Sequence, residues 1–457
     1  MKLLLIMPSG SIHRHRSGNF KKVLRYAPLT LTTLAALVPA NLGAEIRLID
    51  EGVEPVPNDF DADLVGINAI TGTAPRAYAI ADRARSQGCT VVLGGVHPTL
   101  LPDEALLHSD AIVTGFAEQA WPQLLHDFSE GRMKRVYRAP SNPSLEGLPT
   151  PRRDLLCKNA YITVNSVYAS RGCPNRCGFC VIPVAWGQRA YLRPIHEVIH
   201  EIEALDGRDL VLIDPNLIAN RPYARQLFRE MAPLRRRWYG LATTEITDDK
   251  ELFDLLVRSG CKGLFIGFES VSQSTLNRIN KGFNPVHRYK EIVRRLHDRG
   301  IAVQGAFVFG FDNDDPSVFE RTVEVVAELK IDLPRYSVFT PFPGTPVFNR
   351  LSSQQRIFEK DWSLYDAQHV VFRPNRMTAE QLQEGLYRAW LETYKLSSIA
   401  RRIVASRCTP LVSIAANLGY KYYAAKLSQF DNRTLVESNN DTHKDHAHHA
   451  RSRVQTG

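Results

Sequence analysis

The first 140 residues alternate between short apolar runs and longer stretches with apolar side chains three and four positions apart. Residues 3–7, 45–50, 63–68, 90–95 and 110–114 read as strands. Residues 28–42, 75–87 and 118–130 read as helices, each followed by a glycine stop at Gly43, Gly88 or Gly131. This alternation implies a parallel, doubly wound α/β sheet, whose ligands bind at the carboxyl ends of the strands. The loops there are small and polar: Thr71-Gly72-Thr73, Gly94-Gly95-Val96-His97-Pro98 and Gly115-Phe-Ala-Glu118. Glycine lets a ligand approach the backbone closely, although a glycine after a strand is equally an ordinary turn.

Pro- and Ser-rich residues from 140 to 151 break the periodicity. They predict a first domain over 1–140 and a linker over 141–157. Strand and helix signals then resume. Helical stretches at 195–205, 224–234, 250–258, 286–298 and 317–329 lead to strands at 210–213, 238–244, 263–268, 302–309 and 334–341. With an apolar strand at 161–167 before them, these make about six βα units, a partial (β/α)6 TIM-type barrel over 158–375. Residues 376–430 read as a helical cap over the barrel mouth, and the polar tail 431–457, with His443, His446, His448 and His449, as disordered.

Candidate chemistry is concentrated in Cys173-Pro-Asn-Arg-Cys177-Gly-Phe-Cys180, just after the first barrel strand. Three soft thiolates converge there, and no fourth cysteine stands nearby. A structural zinc site closes with a fourth Cys or His, and the next histidine, His196, lies outside the loop. Disulfide frameworks belong to short secreted chains. The spacing fits an iron–sulfur cluster with one open iron better than zinc, a disulfide or chance. The other four cysteines are scattered, which points to a reducing, cytoplasmic setting. The formal net charge is +9, but the basic residues are dispersed and no nucleic-acid motif accompanies them, so a solvated basic surface is expected. No apolar run is long enough to span a membrane; peripheral contact through the C-terminal helices is a minor alternative.

The triplet, with Phe179 just before its last cysteine, resembles the signature of the radical S-adenosylmethionine (radical SAM) enzymes. That resemblance implies a [4Fe-4S] cluster held by Cys173, Cys177 and Cys180, with SAM bound to the open iron by its amino and carboxylate groups. One electron would cleave the sulfonium to methionine and a 5'-deoxyadenosyl radical. The resemblance places Asp214 near the SAM amino group and makes Glu269, in Gly267-Phe-Glu-Ser270, the carboxylate that contacts SAM. A helix cap or surface charge is the ordinary alternative for such a carboxylate. Gly305 would admit adenine, with core packing the equal alternative.

The N-terminal pattern resembles the flavodoxin-like cobalamin-binding domain that precedes the radical SAM domain in one large subfamily. By that resemblance Thr71, Thr73, Gly94, Gly95 and Gly115 face the corrin or its nucleotide tail. Cobalamin domains with an Asp-x-His-x-x-Gly loop ligate cobalt through the histidine. Here the loop reads His13-Arg-His15-Arg-Ser-Gly18, with His13 in place of Asp. A ligand histidine needs an acceptor to fix its tautomer, so cobalt without a protein histidine is expected and His15 as ligand is the minority alternative. The resemblance implies methyl transfer to an unactivated carbon of a small-molecule or lipid-like substrate, fed by an electron donor such as flavodoxin or ferredoxin. Ring formation or rearrangement, as in anaerobic tetrapyrrole cyclases, is the alternative. A non-enzymatic cobalamin or iron–sulfur sensor is the outside one.

Overall fold

The computed structural model describes residues 1–10, 27–405 and 410–429. Two six-stranded parallel sheets organise them. In the first, β1 (Lys2–Met7), β2 (Glu45–Asp50), β3 (Leu64–Asn68), β4 (Thr90–Gly94), β5 (Ala111–Thr114) and β6 (Val136–Arg138) lie in the order β2-β1-β3-β4-β5-β6. The first five strands follow the flavodoxin-like order, and β6 adds an edge strand.

Leu3 to Ile6 of β1 are buried on both faces, as expected of a parallel strand covered on each side. Leu4, Ile6, Val65 and Leu93 share one core with the helix Ala74–Ser86, while Leu3, Leu5, Leu64 and Val92 share the other with the helix Ala117–Ser129. The helix expected over 28–42 ends at Ala36 and resumes only as a 3-10 turn, Ala40–Leu42. Pro39 lacks the amide that a continuous helix would need.

The second sheet begins with β7 (Ser166–Val167) and is followed by a small antiparallel ribbon, β8 (Ser170–Arg171) with β9 (Tyr191–Leu192). Its remaining strands are β10 (Asp209–Leu212), β11 (Arg237–Ala242), β12 (Cys261–Glu269), β13 (Ala302–Phe309) and β14 (Leu333–Val338). They run in the order β14-β13-β12-β11-β10-β7, a six-stranded open barrel sheet. Capped amphipathic helices cover its outside. In Lys250–Arg258, for example, the Asp249 side chain accepts from the Leu252 amide at 3.0 Å while Leu252, Phe253, Leu255 and Leu256 are buried.

Both margins of this open sheet are satisfied by side chains. Along β7, Arg153 donates to the Val164 and Ser166 carbonyls at 3.2 and 2.5 Å, and Arg193 donates to Tyr168 at 3.0 Å. Glu201, buried, holds both guanidinium groups. Along β14, Asn417, Tyr394 and Trp390 donate to the carbonyls of Asp332, Pro334 and Tyr336 at 3.2, 2.7 and 3.1 Å. The helices expected to cap the barrel mouth therefore run along this edge instead. Ala379–Thr393 also packs on Val318–Leu329 so tightly that a side chain at Gly385 would collide with Phe319.

Among the described residues no helix is long and apolar enough to cross a membrane. His13, His15 and the tail 431–457 lie outside the described residues.

Candidate active site between the two domains

The cysteine loop leaves β8 through Gly172, at φ 72°, where a side chain would strike the Arg189 carbonyl. Cys173, Cys177 and Cys180 are half-buried free thiols. Burial pushes all three up, Cys180 to about 11, and neighbouring thiols add to the effect on Cys180 while the Lys281 ammonium opposes it. Three such sulfurs and one nearby cation suit an anionic iron–sulfur cluster with an open iron. Among the described residues no three His, Cys, Asp or Glu side chains are arranged for a single metal ion. Phe179 packs into an aromatic group, 6.2 Å from the Phe311 ring and 6.5 Å from Phe339.

Glu269 ends β12 in an unusual backbone. The register slips between Gly267 and Glu269, and Glu269 itself sits at φ 65°, a strained conformation that persists only where the surroundings hold it. Its carboxylate meets Lys281 Nζ at 2.5 Å, and both side chains are buried. A side chain at Gly267 would fall on this pair. Burial alone would lower the lysine, but Glu269 and the cysteines outweigh it and keep the ammonium charged. Lys281 was not among the residues singled out from the sequence, where it is one of many lysines.

Asp214 plays a different part from the one expected. It is fully buried and accepts from the Ala169 amide at 3.1 Å, the Ser170 amide at 2.5 Å and Ser170 Oγ at 2.6 Å. Its carboxylate is thus occupied in tying the cysteine loop to the end of β10. Burial pushes its pKa up to about 6, against those hydrogen bonds. For Gly305 the structure favours the second of its two readings. A side chain there would lie 3.0 Å from Ile331 and 3.2 Å from Phe268, on the helix-facing side of β13, where Val303, Phe307 and Phe309 are buried. That is core packing rather than an adenine site.

The first domain contributes a cavity of about 260 Å³ at the carboxyl ends of β3, β4 and β5. Gly94, Gly95 and Gly115 line it, with Asn68 and Ile70 from the loop after β3. Gly95, at φ 104°, leaves no room for a side chain, whose Cβ would lie 2.5 Å from Asn68 Oδ1. Thr71 and Thr73, by contrast, are buried in their own turn, and Thr73 Oγ1 is spent on Ile70 at 3.1 Å. Neither lines the cavity. The far wall comes from the barrel domain: Tyr168, Arg171, Trp186 and Ile213. A glycine floor at the strand ends and an aromatic wall opposite suit a large flat cofactor between the domains.

Arg171, beside the cysteine loop, reaches Glu118 of the first domain. It lies 4.3 Å from the Tyr168 ring centre and 5.5 Å from that of Phe116. Phe116 in turn stands 5.0 Å from Tyr191 and 6.3 Å from Trp186. The cavity floor and the cysteine loop are therefore bolted to each other.

Two alternating α/β units, one with a glycine-lined cavity and one with a three-cysteine loop, define an enzyme with a cofactor site in each domain. Comparison with known proteins agrees. The profile of the radical SAM superfamily matches residues 167–326, and that of the B12 binding domain matches 24–125. Bacteriochlorophyllide d C-12(1)-methyltransferase of Chlorobaculum tepidum is 35% identical over 82% of this chain and 84% of that protein. The C-8(2)-methyltransferase of the same organism is 29% identical over 88% and 93%. Among solved structures, the radical SAM methyltransferase TsrM from Kitasatospora setae shares the fold with a TM-score of 0.67 at 17% identity, over 96% of this chain and 99% of that one. The chain belongs to the cobalamin-dependent radical SAM enzymes. Its cofactors are a [4Fe-4S] cluster, SAM and cobalamin.

Proposed function

We propose that this enzyme transfers a methyl group to an unactivated carbon of a small-molecule substrate, and that the substrate is a chlorin-type tetrapyrrole. The observation that carries the reading is the 35% identity to a bacteriochlorophyllide d methyltransferase across both domains. When bound, the cluster with SAM supplies a radical that removes a hydrogen atom, and cobalamin supplies the methyl group.

In this reading Cys173, Cys177 and Cys180 hold the cluster, and Phe179 buttresses their loop. Glu269 and Lys281 together present one negative and one positive group beside the sulfurs, suited to the amino and carboxylate ends of an amino acid. Gly94, Gly95 and Gly115 form the bed of the corrin or its tail. Asp214 orients the loop through the Ala169 and Ser170 amides. The setting is cytoplasmic and reducing, and the electron comes from a separate carrier protein.

Ring formation is the second reading, favoured by 26% identity to an anaerobic magnesium-protoporphyrin IX monomethyl ester cyclase of Rubrivivax gelatinosus. The deciding experiment uses anaerobically reconstituted enzyme with cobalamin, SAM, reductant and, in parallel reactions, a bacteriochlorophyllide or magnesium-protoporphyrin IX monomethyl ester. Mass spectrometry would follow 5'-deoxyadenosine, S-adenosylhomocysteine and a methylated pigment. All three, lost in the Cys173→Ala/Cys177→Ala/Cys180→Ala variant, support methyl transfer. Deoxyadenosine with a cyclised pigment and no S-adenosylhomocysteine supports the second reading.

A further inference from the structure

We infer that the loop after β13, with the arginines gathered on it, is the docking surface for an acidic one-electron carrier protein that reduces the cluster. The inference rests on the reading that an external carrier supplies the electron. Four arginines from three separate segments converge on the dipeptide Asp312-Asn313. Arg350 and Arg356 reach the Asp312 carboxylate at 2.5 and 3.0 Å. Arg278 donates to Asn313 Oδ1 at 2.8 Å, and Arg376 contacts the Asn313 carbonyl at 3.5 Å. Arg278, Arg350 and Arg376 are exposed. The same loop carries Asp312, Asp314 and Asp315, and Asp315 faces Arg321 as well as Arg376, so five arginines meet three carboxylates. The group thus carries a local excess of positive charge that internal pairing does not remove.

Its position gives that charge a use. A cavity of about 460 Å³, lined by Arg278 and Arg350, separates this group from Gly178, the residue between Cys177 and the Phe179–Cys180 step. The Gly178 amide donates to the Ile279 carbonyl at 3.1 Å, so the helix that ends in Arg278 and the cysteine loop are joined directly. Among the described residues, no neighbouring atom lies within 4 Å of where a side chain at Gly178 would start. The backbone next to two of the three sulfurs is therefore open on the arginine side. The cofactor cavity, by contrast, reaches the loop from Arg171 and Trp186. Substrate and electron would approach by separate routes.

Charge complementarity selects the occupant. A protein with an acidic rim around its redox centre is steered to a basic patch, with an association rate that falls as salt rises. In the step itself the carrier loses one electron and the oxidised cluster gains it, with no bond made or broken and no proton required.

The test uses the reconstituted holoenzyme, an acidic flavodoxin in its hydroquinone form, and reduced methyl viologen as a small cationic donor that needs no docking. Binding of oxidised flavodoxin is read by calorimetry, and cluster reduction by its optical bleaching. The Arg278→Glu/Arg376→Glu variant should weaken flavodoxin binding and slow its electron transfer by about tenfold or more, and flatten the salt dependence. Reduction by methyl viologen should stay within about twofold of the parent. If the viologen rate falls too, Arg278→Gln/Arg376→Gln replaces it. A loss confined to flavodoxin supports the surface, and equal loss with both donors overturns it. Unchanged flavodoxin binding and rate in the charge-reversed variant also overturn it. Because reduction is read before any substrate is added, a failure of methyl transfer would leave this result standing.

Discussion

Glu118 and Arg171 meet across the boundary between the cobalamin-binding and radical SAM domains, and among the described residues neither carboxylate oxygen has another hydrogen-bond donor. Burial would lower Arg171, but Glu118 outweighs it. Removing one partner of such a pair leaves an uncompensated charge. Glu118→Ala should cost about 3 kcal/mol in denaturant unfolding of the anaerobic apoprotein. Loss of cobalamin on gel filtration should accompany it, because Arg171 is part of the cavity wall. Full retention of cobalamin in this variant would show that the pair is not what holds the two faces together.

Lys281 favours the thiolate forms of the cysteines that it faces. In Lys281→Met the thiols should titrate higher, so iron incorporation during reconstitution should need a higher pH than in the parent. Lys281→Arg should restore most of the loading near neutrality. Iron and sulfide per chain, measured across a pH series, would check this. Coincident curves for Met and parent would remove the electrostatic role.

Asp214 gives a stability slope of defined sign. Its folded pKa, about 6, lies above the ordinary carboxylate value. Between those limits the folded chain keeps a proton that the unfolded chain has released, so this group's contribution to stability is full below that range and is lost as pH rises through about 6. Asp214→Asn should abolish that slope in urea unfolding. It should also loosen the cysteine loop, since an amide group cannot accept from all three donors with both of its polar atoms.

At Gly95 the backbone conformation and the lack of space act together. Gly95→Ala should bind cobalamin at least about tenfold more weakly, because a side chain at positive φ costs on the order of 1 kcal/mol and the collision with Asn68 adds to it. Equilibrium dialysis with hydroxocobalamin would measure the loss, and cluster content should remain that of the parent.

Glu201 neutralises Arg153 and Arg193 together, with all three side chains buried. Glu201→Ala should destabilise the apoprotein by about 3–5 kcal/mol, more than the loss of one exposed ion pair such as Lys158–Asp206. Chemical denaturation of both variants compares them directly.

Much of this architecture could be read from local pattern. The strands of both sheets are short apolar runs, and the cysteine loop declares itself by spacing. The harder readings concern direction and distance. Gly305 is open between an adenine contact and core packing, and because it shares its strand face with Val303, Phe307 and Phe309, the two-residue alternation already favours the core. Thr71 and Thr73 are polar residues at a strand end, yet their hydroxyl-bearing side chains are taken up by the turn and by packing. Lys281 comes into the site only because β12 bulges and Asn280 adopts φ 57°, neither of which leaves a mark in hydrophobic periodicity. Glu118 ends one of the strand-end loops and Arg171 stands two residues before Cys173, but their meeting depends on how two domains pack.

An incomplete barrel presents two raw margins to which a foreign strand could add. Here each is closed by side-chain donors on flanking segments: Arg153 and Arg193 on one side, and Trp390, Tyr394 and Asn417 on the other. The terminal helices are thus a guard against self-association as much as a part of the enzyme. A chain cut after Met377 would keep all three cysteines of the loop and still be expected to polymerise along β14, losing its function through solubility and not through chemistry.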